Sequence, residues 1–535
     1  MQEASKVRGL DYDQEEKAVS QHWNDRASKL MRIRIPDAHL QDLFDASLQH
    51  FLLVLTKNGN KDEYFPNVAM LSYGTIGSES SPIIRALDMR GLHHLAERCL
   101  EAFLEGQGEF MPEGDYRSKE GGFYRFWPKY TIGHGGVLWA LADHYRFTRD
   151  NEWLLRVAPK IIAGCDFIVR ERRRTMTVGA DGIKPAHYGF APAGCVADPR
   201  DWQYSFMLNA WLYAGLKNCA EILRQINPSK AESLEAEASD YKQCILRAFR
   251  ESVALCPVTR LRDNTSVPSA PSYLGLRGFS SDVKDSVDPD SRHGYAYDCT
   301  IGPFHLFNCG VLAPDDPMVT AMLNYFEDRF FLFTPLPTRI NLDRLATDWF
   351  NLGGFEKMQP YYVHYQEAYL VRDQIPNFLR GFYNTLASIS DPQTLTFQEE
   401  LGGGQPHKTH EEAWFFHQLR NMLVMEAGTE LHLARGTPRR WLEGGQQIEV
   451  EHAPTYFGQV SYQIRSSPDL ESIVAEVEPP TEQSPSRMIL RLRHPARKPL
   501  KEVTINGEPS AKFDAKKEWI DLPSGRSKLS IVARY

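Results

Sequence analysis

Amphipathic segments in this chain come in pairs joined by very short turns, whereas successive pairs are separated by long stretches rich in aromatic and acidic residues. Residues 133–145 carry Val137, Leu138 and Leu141 at helical spacing, break at Thr148-Arg149-Asp150-Asn151, and resume over 153–170 with Leu154, Val157, Ile161, Ile162 and Phe167. That is a helical hairpin. The same grammar recurs at 202–226 and 232–250 around Asn227-Pro228-Ser229. It returns at 300–311 and a helix ending at Phe331, around Pro314-Asp315-Asp316-Pro317. Asp and Ser at these breaks are suitable N-caps for the second helix of each pair. Looser pairs are 359–371 with 374–389, and 36–55 with 81–106, with further helices over 411–424 and 14–30. About twelve helices, in hairpins repeating every 50 to 80 residues or so, predict a repeat architecture.

The stretches between pairs, 56–80, 107–132, 174–201, 256–298, 333–358 and 391–410, each run to about 20 residues or more, against roughly 2 to 8 for ordinary helix connections. Each hairpin returns the chain to the end it left, so all six should gather on one face and empty into the N-terminus of the next, inner helix. A funnel walled by aromatic and acidic loops is the expected result.

At 535 residues and 42% hydrophobic, the chain can bury a large core and should form one large and one small domain. Its net charge of -8 excludes a nucleic-acid partner, whose phosphates demand clustered Lys and Arg. The one basic run, Arg170-Glu171-Arg172-Arg173-Arg174, reads as a solvated helix C-terminus complementing the dipole. No stretch approaches the roughly 20 apolar residues of a membrane span. The first residues contain no apolar segment of a secretory signal, so a cytoplasmic protein is expected, with a trimmed secreted one as the alternative. Eight cysteines without a CxxC pair predict buried free thiols. Histidines such as His93, His94 and His187 lack metal-ligand spacing, and GxSxG, Walker and GxGxxG motifs are absent. Neither a metal nor a cofactor is expected.

After about residue 427 the pattern changes. Segments 430–434, 447–451, 460–465, 472–477, 486–493 and 503–505 alternate apolar and polar residues between Gly, Pro and Ser turns, and Asn506-Gly507 reads as a hairpin turn. They predict an antiparallel β-sandwich of about 100 residues. The expected organisation is a linker and helix over 1–34, an (α/α)6 barrel over 35–427, and the sandwich over 428–535.

Helical hairpins followed by a β-domain carrying Leu431-His-Leu-Ala-Arg-Gly-Thr-Pro-Arg-Arg-Trp441-Leu and Ala453-Pro-Thr-Tyr-Phe-Gly-Gln-Val-Ser461 resemble the six-hairpin glycosidases, most of all bacterial relatives of the α-L-rhamnosidases. Thr409-His410-Glu411-Glu412-Ala413-Trp414 is similar to the Thr-x-x-Glu-x-Trp segment that opens the last inner helix of rhamnosidases. The resemblance implies that Glu412 is the general base and Trp414 an apolar wall against a sugar. A carboxylate there is also a capping-box partner of Thr409. The rhamnosidase acid lies in an Asp-Glu-Arg segment, whose closest text here is Lys61-Asp62-Glu63-Tyr64. In glucoamylase-like relatives the acid precedes the inner helix of the third hairpin, which points to Asp201 beside Trp202.

Three further segments combine stacking rings, carboxylates and glycines suited to a sugar: Gly77-Ser78-Glu79, the stretch from Phe123 through Trp127 to His134, and that from Gly353 through Glu356 to Tyr361 and Tyr362. Core packing is the competing role for each residue.

The expected activity is therefore hydrolysis of an oligosaccharide or polysaccharide with inversion, with Glu412 and Asp201 roughly 6.5 to 9.5 Å apart. Glu79, Trp127, His134, Trp202, Glu356, Tyr361 and Trp414 would contact substrate. Two alternatives are a polysaccharide lyase using a Tyr and His such as His187-Tyr188, and a carbohydrate-binding remnant without activity.

Overall fold

The computed structural model describes residues 11–70, 73–197, 202–284, 297–331, 359–401 and 404–535. The chain divides into two compact units. The larger comprises Asp42–Leu87 and His93–Met422, and the smaller Met1–Gln41, Asp88–Leu92 and Leu423–Tyr535.

In chain order the helices are α1 (Tyr12–Ala27), α2 (Ala38–Leu53), α3 (Gly77–Arg90), α4 (His93–Glu105), α5 (Gly133–Thr148), α6 (Asn151–Arg173) and α7 (Phe206–Leu223). There follow α8 (Pro228–Ala254), α9 (Ser280–Lys284), α10 (His305–Asn308), α11 (Pro317–Phe326), α12 (Gln366–Val371), α13 (Ile375–Ile389) and α14 (Thr409–Leu423). Local chemistry sets the short turns. Arg149 adopts φ 52 and returns its N–H to Tyr145 O at 2.7 Å, and the Asp150 carboxylate accepts the Trp153 N–H at 2.9 Å to start α6. Asn227 and Asp316 cap α8 and α11, each followed by a proline in the first turn.

Four predicted helices are corrected; of 359–371 only Gln366–Val371 is α-helical. The segment 81–106 breaks at Gly91, where φ is 89, into α3 and α4. The segment 202–226 begins only at Phe206, because Ser205 caps α7. Of 300–311 only His305–Asn308 is α-helical, between Gly302-Pro303 and Gly310.

Helices α3, α5, α7, α10, α12 and α14 each follow a long connection, and each touches the next. A Cβ on Gly77 would lie 3.0 Å from the Gly133 backbone, and one on Gly135 would lie 2.5 Å from the Trp211 carbonyl carbon. Trp211 Nε1 donates to His305 Nδ1 at 3.3 Å, and Asn308 Nδ2 donates to Val363 O, just before α12, at 2.7 Å. Gln418 Nε2 donates to Gln366 Oε1 at 3.3 Å, and His417 Nε2 stands 3.0 Å from Pro82 O. The chain of contacts thus returns from α14 to α3. Helix α2 packs on the other side of α14, with Phe44 and Phe51 against Phe416 at 5.6 and 5.8 Å.

The basic run ending α6 is solvated only in part. Arg172 is fully buried, pairing with Glu237 at 2.9 Å and Asp240 at 2.6 Å on α8. Arg174 donates to Asp115 O and to Glu171, and Arg170 donates to Glu120 O. Arg172 is thus withdrawn from water, whereas Arg173 and Arg174 remain exposed.

The larger unit holds two short antiparallel ladders, β2 (Leu55–Lys57) with β3 (Tyr64–Pro66) and β4 (Val258–Arg260) with β5 (Ser266–Pro268). In the smaller unit, β1 (Arg32–Arg34) lies within the stretch expected to be linker and helix. Its Ile33 is the buried residue between two exposed arginines. It pairs antiparallel with β8 (Gln447–Thr455), Ile33 opposite Val450. Strands β9 (Gly458–Ser466), β10 (Ser472–Glu478), β12 (Glu502–Ile505), β13 (Glu508–Pro509) and β16 (Leu529–Arg534) complete a seven-stranded sheet in the order β1-β8-β9-β10-β16-β12-β13. Alternate residues, such as Ile473, Ala475 and Val477 of β10, are buried, as a half-covered sheet requires. A five-stranded sheet contains β6 (Val424–Ala427), β7 (Glu430–Leu433), β11 (Arg487–Arg491), β14 (Phe513–Asp514) and β15 (Trp519–Leu522), all antiparallel except β7 with β11. Asn506 and Gly507 take φ 53 and 85 and turn β12 into β13.

Candidate active site

Helix α14 presents two chemically different faces. His410, Glu411, Trp414, His417, Gln418 and Asn421 recur at spacings of three and four and so share one side, while Glu412, Phe416 and Leu419 share the other. Glu412 joins the apolar side. Its Oε1 pairs with His50 Nδ1 of α2 at 2.8 Å. Burial raises the Glu412 pKa, and His50 partly counters it.

The polar side faces α3 and α12. Glu411 is fully buried, and its Oε2 accepts the Tyr361 N–H at 2.8 Å. Its Oε1 makes no hydrogen bond, and His410 Nδ1 stands 3.4 Å from it. Burial pushes the Glu411 carboxyl well above the usual carboxylate range, favouring its protonated form. The same burial, helped by Lys408, keeps His410 neutral.

Lys408 Nζ lies 2.8 Å from Glu79 Oε2 in the first turn of α3 and 3.1 Å from Glu399 Oε1. Burial disfavours the ammonium, but the two carboxylates more than offset it and raise its pKa. Glu399 is held further by Gln359 and by the Gln405 N–H. His410 Nδ1 is 3.9 Å from Glu79 Oε2 as well as 3.4 Å from Glu411 Oε1. Glu79 Oε2 and Glu411 Oε1 therefore stand at most about 7.3 Å apart, within the upper limit of roughly 9.5 Å for paired glycosidase carboxyls.

Deeper along the helices lies a girdle of five rings, from α5, α7, α10, the entry of α12 and α14, with a guanidinium from α3. Arg85 of α3 sits 5.4 Å from the Trp139 ring of α5, and Trp139 meets Trp211 of α7 at 5.7 Å. Trp211 meets His305 of α10 at 6.1 Å, His305 meets His364 at 5.9 Å, and His364 stacks on Trp414 at 4.1 Å. Trp414 lies 6.1 Å from Trp139 and closes the ring. Arg85 is also tied to Asp143 at 2.5 Å. Among the described residues, Trp414 Nε1, His417 Nδ1, Gln418 Oε1 and both His410 ring nitrogens are buried without a hydrogen-bond partner. With Glu411 Oε1 they form a line of unsatisfied polar atoms on one helix face. Buried polar atoms of this kind normally meet water or a ligand.

The expected site residues thus scatter. Glu79 and Trp414 belong to this region. Tyr361 joins it by its backbone N–H, while its own ring is buried and its hydroxyl donates to Phe382 O at 3.4 Å. His134 is fully buried, and its Nδ1 accepts the Phe123 N–H while Nε2 faces Gly164 O at 2.9 Å. Both ring nitrogens are committed, burial lowers its pKa to about 4, and no edge is left for a sugar. Trp127 and Trp202 are 43% and 54% exposed on the loops before α5 and α7. Glu412 stands apart with His50. Asp201 and Glu356 lie outside the described residues. Glu399, Lys408, His410, Glu411, Arg85, Trp139 and His364 were not anticipated. Among the described residues no group of His, Cys, Asp and Glu has the arrangement of a metal site, and no helix is long and apolar enough to cross a membrane.

No protein-family model matches the chain, and no curated protein matches it. Among solved structures, it is similar to a rhamnosidase of Bacillus sp. GL1, with 12% identity, a TM-score of 0.48, and coverage of 82% of this chain and 40% of that one. It is also similar to a bacterial glucoamylase, with 11% identity, a TM-score of 0.48, and coverage of 78% and 60%. A third is a metal-independent alpha mannosidase of Streptococcus pneumoniae, with 10% identity, a TM-score of 0.45, and coverage of 76% and 98%. The chain therefore spans less than two thirds of the first two.

Proposed function

We propose that this protein is a glycoside hydrolase built on an (α/α)6 barrel with a C-terminal β-sandwich. The observation that carries the reading is the placement of Glu411 and Glu79 in the first turns of two adjacent helices of the cycle, above a girdle of indole and imidazole rings. Burial raises the pKa of one carboxyl, and the other is ion-paired with Lys408. Glu411 would donate its proton to the glycosidic oxygen as that bond breaks. Glu79 would take a proton from the attacking water, giving a hemiacetal and a free alcohol. First-turn backbone N–H groups favour the negative charge on Glu79, and Lys408 orients it.

The resemblance of residues 409–414 to the rhamnosidase segment assigns the base to Glu412 instead, and the glucoamylase-like position assigns the acid to Asp201. The pairing of Glu412 with His50 favours a structural role for it. A panel of aryl glycosides, including an α-L-rhamnoside, tests the activity, and proton NMR of the first product reports inversion or retention. Release of aglycone that is lost in Glu411→Gln supports the assignment. Loss in Glu412→Gln or Asp201→Asn with Glu411→Gln active would move it to those residues. Growth of the ultraviolet absorbance of an unsaturated uronate would replace hydrolysis by β-elimination.

A further inference from the structure

The tryptophans described in the larger unit differ sharply in exposure. Trp153, Trp211 and Trp414 are 3% exposed or less, and Trp139 sits half-buried in the girdle. Trp127 and Trp202 stand out in solvent, and they are joined by a common scaffold. Glu113 N donates to Pro128 O at 3.0 Å, and Asp115 N donates to Ala193 O at 3.0 Å. Gly114 bridges to Gly194, and Gly194 bridges to Gln203. Adjacent extended segments lie about 4.8 Å apart, so three such steps place Pro128 and Gln203 within about 15 Å of each other.

This ladder is anchored. Arg174 ties Asp115 O to Glu171, Glu171 also accepts the Arg117 N–H, and Thr131 N donates to Cys195 O at 2.9 Å. Trp127 itself has φ 51, a left-handed conformation that a bulky side chain adopts at a cost of about 1 kcal/mol or more. Its indole lies parallel to Tyr130, 5.7 Å away with 5° between the planes. Phe110 and Met111 are exposed on the same loop as Trp127. A rigid ladder that holds two indoles in water, one of them at the expense of backbone strain, has the features of a stacking platform for the apolar faces of sugar rings.

We infer that Trp127 and Trp202 form distal subsites for an extended oligosaccharide, so that the preferred substrate is a chain of several sugar units and not a simple glycoside. The inference rests on the hydrolase reading only for the chain's direction toward the carboxyls. Trp127 lies six residues before α5 and Trp202 four before α7. Helix α5 in turn abuts the first turn of α3, which carries Glu79.

The test is isothermal titration of Glu411→Gln, full chain, with gluco-, manno-, xylo- and rhamno-oligosaccharides from disaccharide to hexasaccharide. Affinity for at least one series should rise with length. Trp127→Ala and Trp202→Ala in that background should each weaken hexasaccharide binding by up to about tenfold, with a smaller change for the disaccharide. Trp127→Phe should restore most of the loss. Binding that does not depend on length, hexasaccharide affinities that match the parent in both alanine variants, or no binding across the panel would each overturn the inference. Activity of the Glu411→Gln variant is read separately, since its persistence would overturn the hydrolase assignment and leave length-dependent binding intact.

Discussion

Glu411 is held by one oxygen only: Oε2 accepts the Tyr361 N–H at 2.8 Å, and Oε1 has no hydrogen-bond partner. A buried carboxyl in that state stabilises the fold only while it keeps its proton. Its folded pKa is raised, so this contribution is fully present below the unfolded value of about 4.3 and is lost as pH rises through the folded one. Glutamine has nearly the same shape and no charge to lose. Glu411→Gln should therefore raise the midpoint of thermal unfolding relative to the parent in mildly alkaline buffer, and change it little in acid. A difference between the two proteins that does not vary with pH would contradict the protonated state.

Lys408 links Glu79 and Glu399 across the site. Lys408→Met would leave two carboxylates facing each other in a largely dry setting and should cost about 3 to 5 kcal/mol. Denaturant unfolding measures the loss. The double variant Glu79→Gln/Lys408→Met should lose less than the two single changes added together, because the penalty of the stranded charge is shared.

Gly135 sets how closely α5 approaches α7. A methyl group there would meet the Trp211 carbonyl carbon and oxygen at 2.5 Å, and neither backbone can move without shifting the girdle tryptophan. Gly135→Ala should destabilise by about 1 to 3 kcal/mol. An unchanged unfolding midpoint would mean that the two helices are not in this contact.

Much of this arrangement can be read from the sequence, and where it cannot the reasons are physical. The short turns at Arg149-Asp150 and Asn227-Pro228 are announced by local capping chemistry, which needs no partner from elsewhere in the chain. Helices α3, α5, α7, α10, α12 and α14 each begin after one of the long connections that the hairpin grammar marks out. The α14 site was also legible: the spacing of Glu411, Trp414, Gln418 and Asn421 marks a polar face, and Phe416 and Leu419 mark the apolar one. Matching Thr409-x-x-Glu412-x-Trp414 to a family segment points to Glu412, whose carboxylate pairs with His50 on the apolar side of that wheel. Lys408 with Glu79 was not legible, because the partners are 329 residues apart and each looks like an ordinary first-turn or loop charge. His134 misleads for the opposite reason. Glycines and aromatics around it suit a ligand, but they equally let two backbones close over an imidazole and engage both of its nitrogens.

The central claim is that chemistry resides on the Glu411 face of α14 and not on the Glu412 face. Initial rates of Glu411→Gln and Glu412→Gln on the same glycoside, with each variant's unfolding midpoint as control, separate the two most directly. The account expects Glu411→Gln to lose a factor of about 10² to 10⁴ in kcat while remaining folded. Glu412→Gln should keep kcat within a few fold and lose stability through its broken pair with His50. A folded Glu412→Gln variant with kcat abolished, beside an active Glu411→Gln, would contradict it.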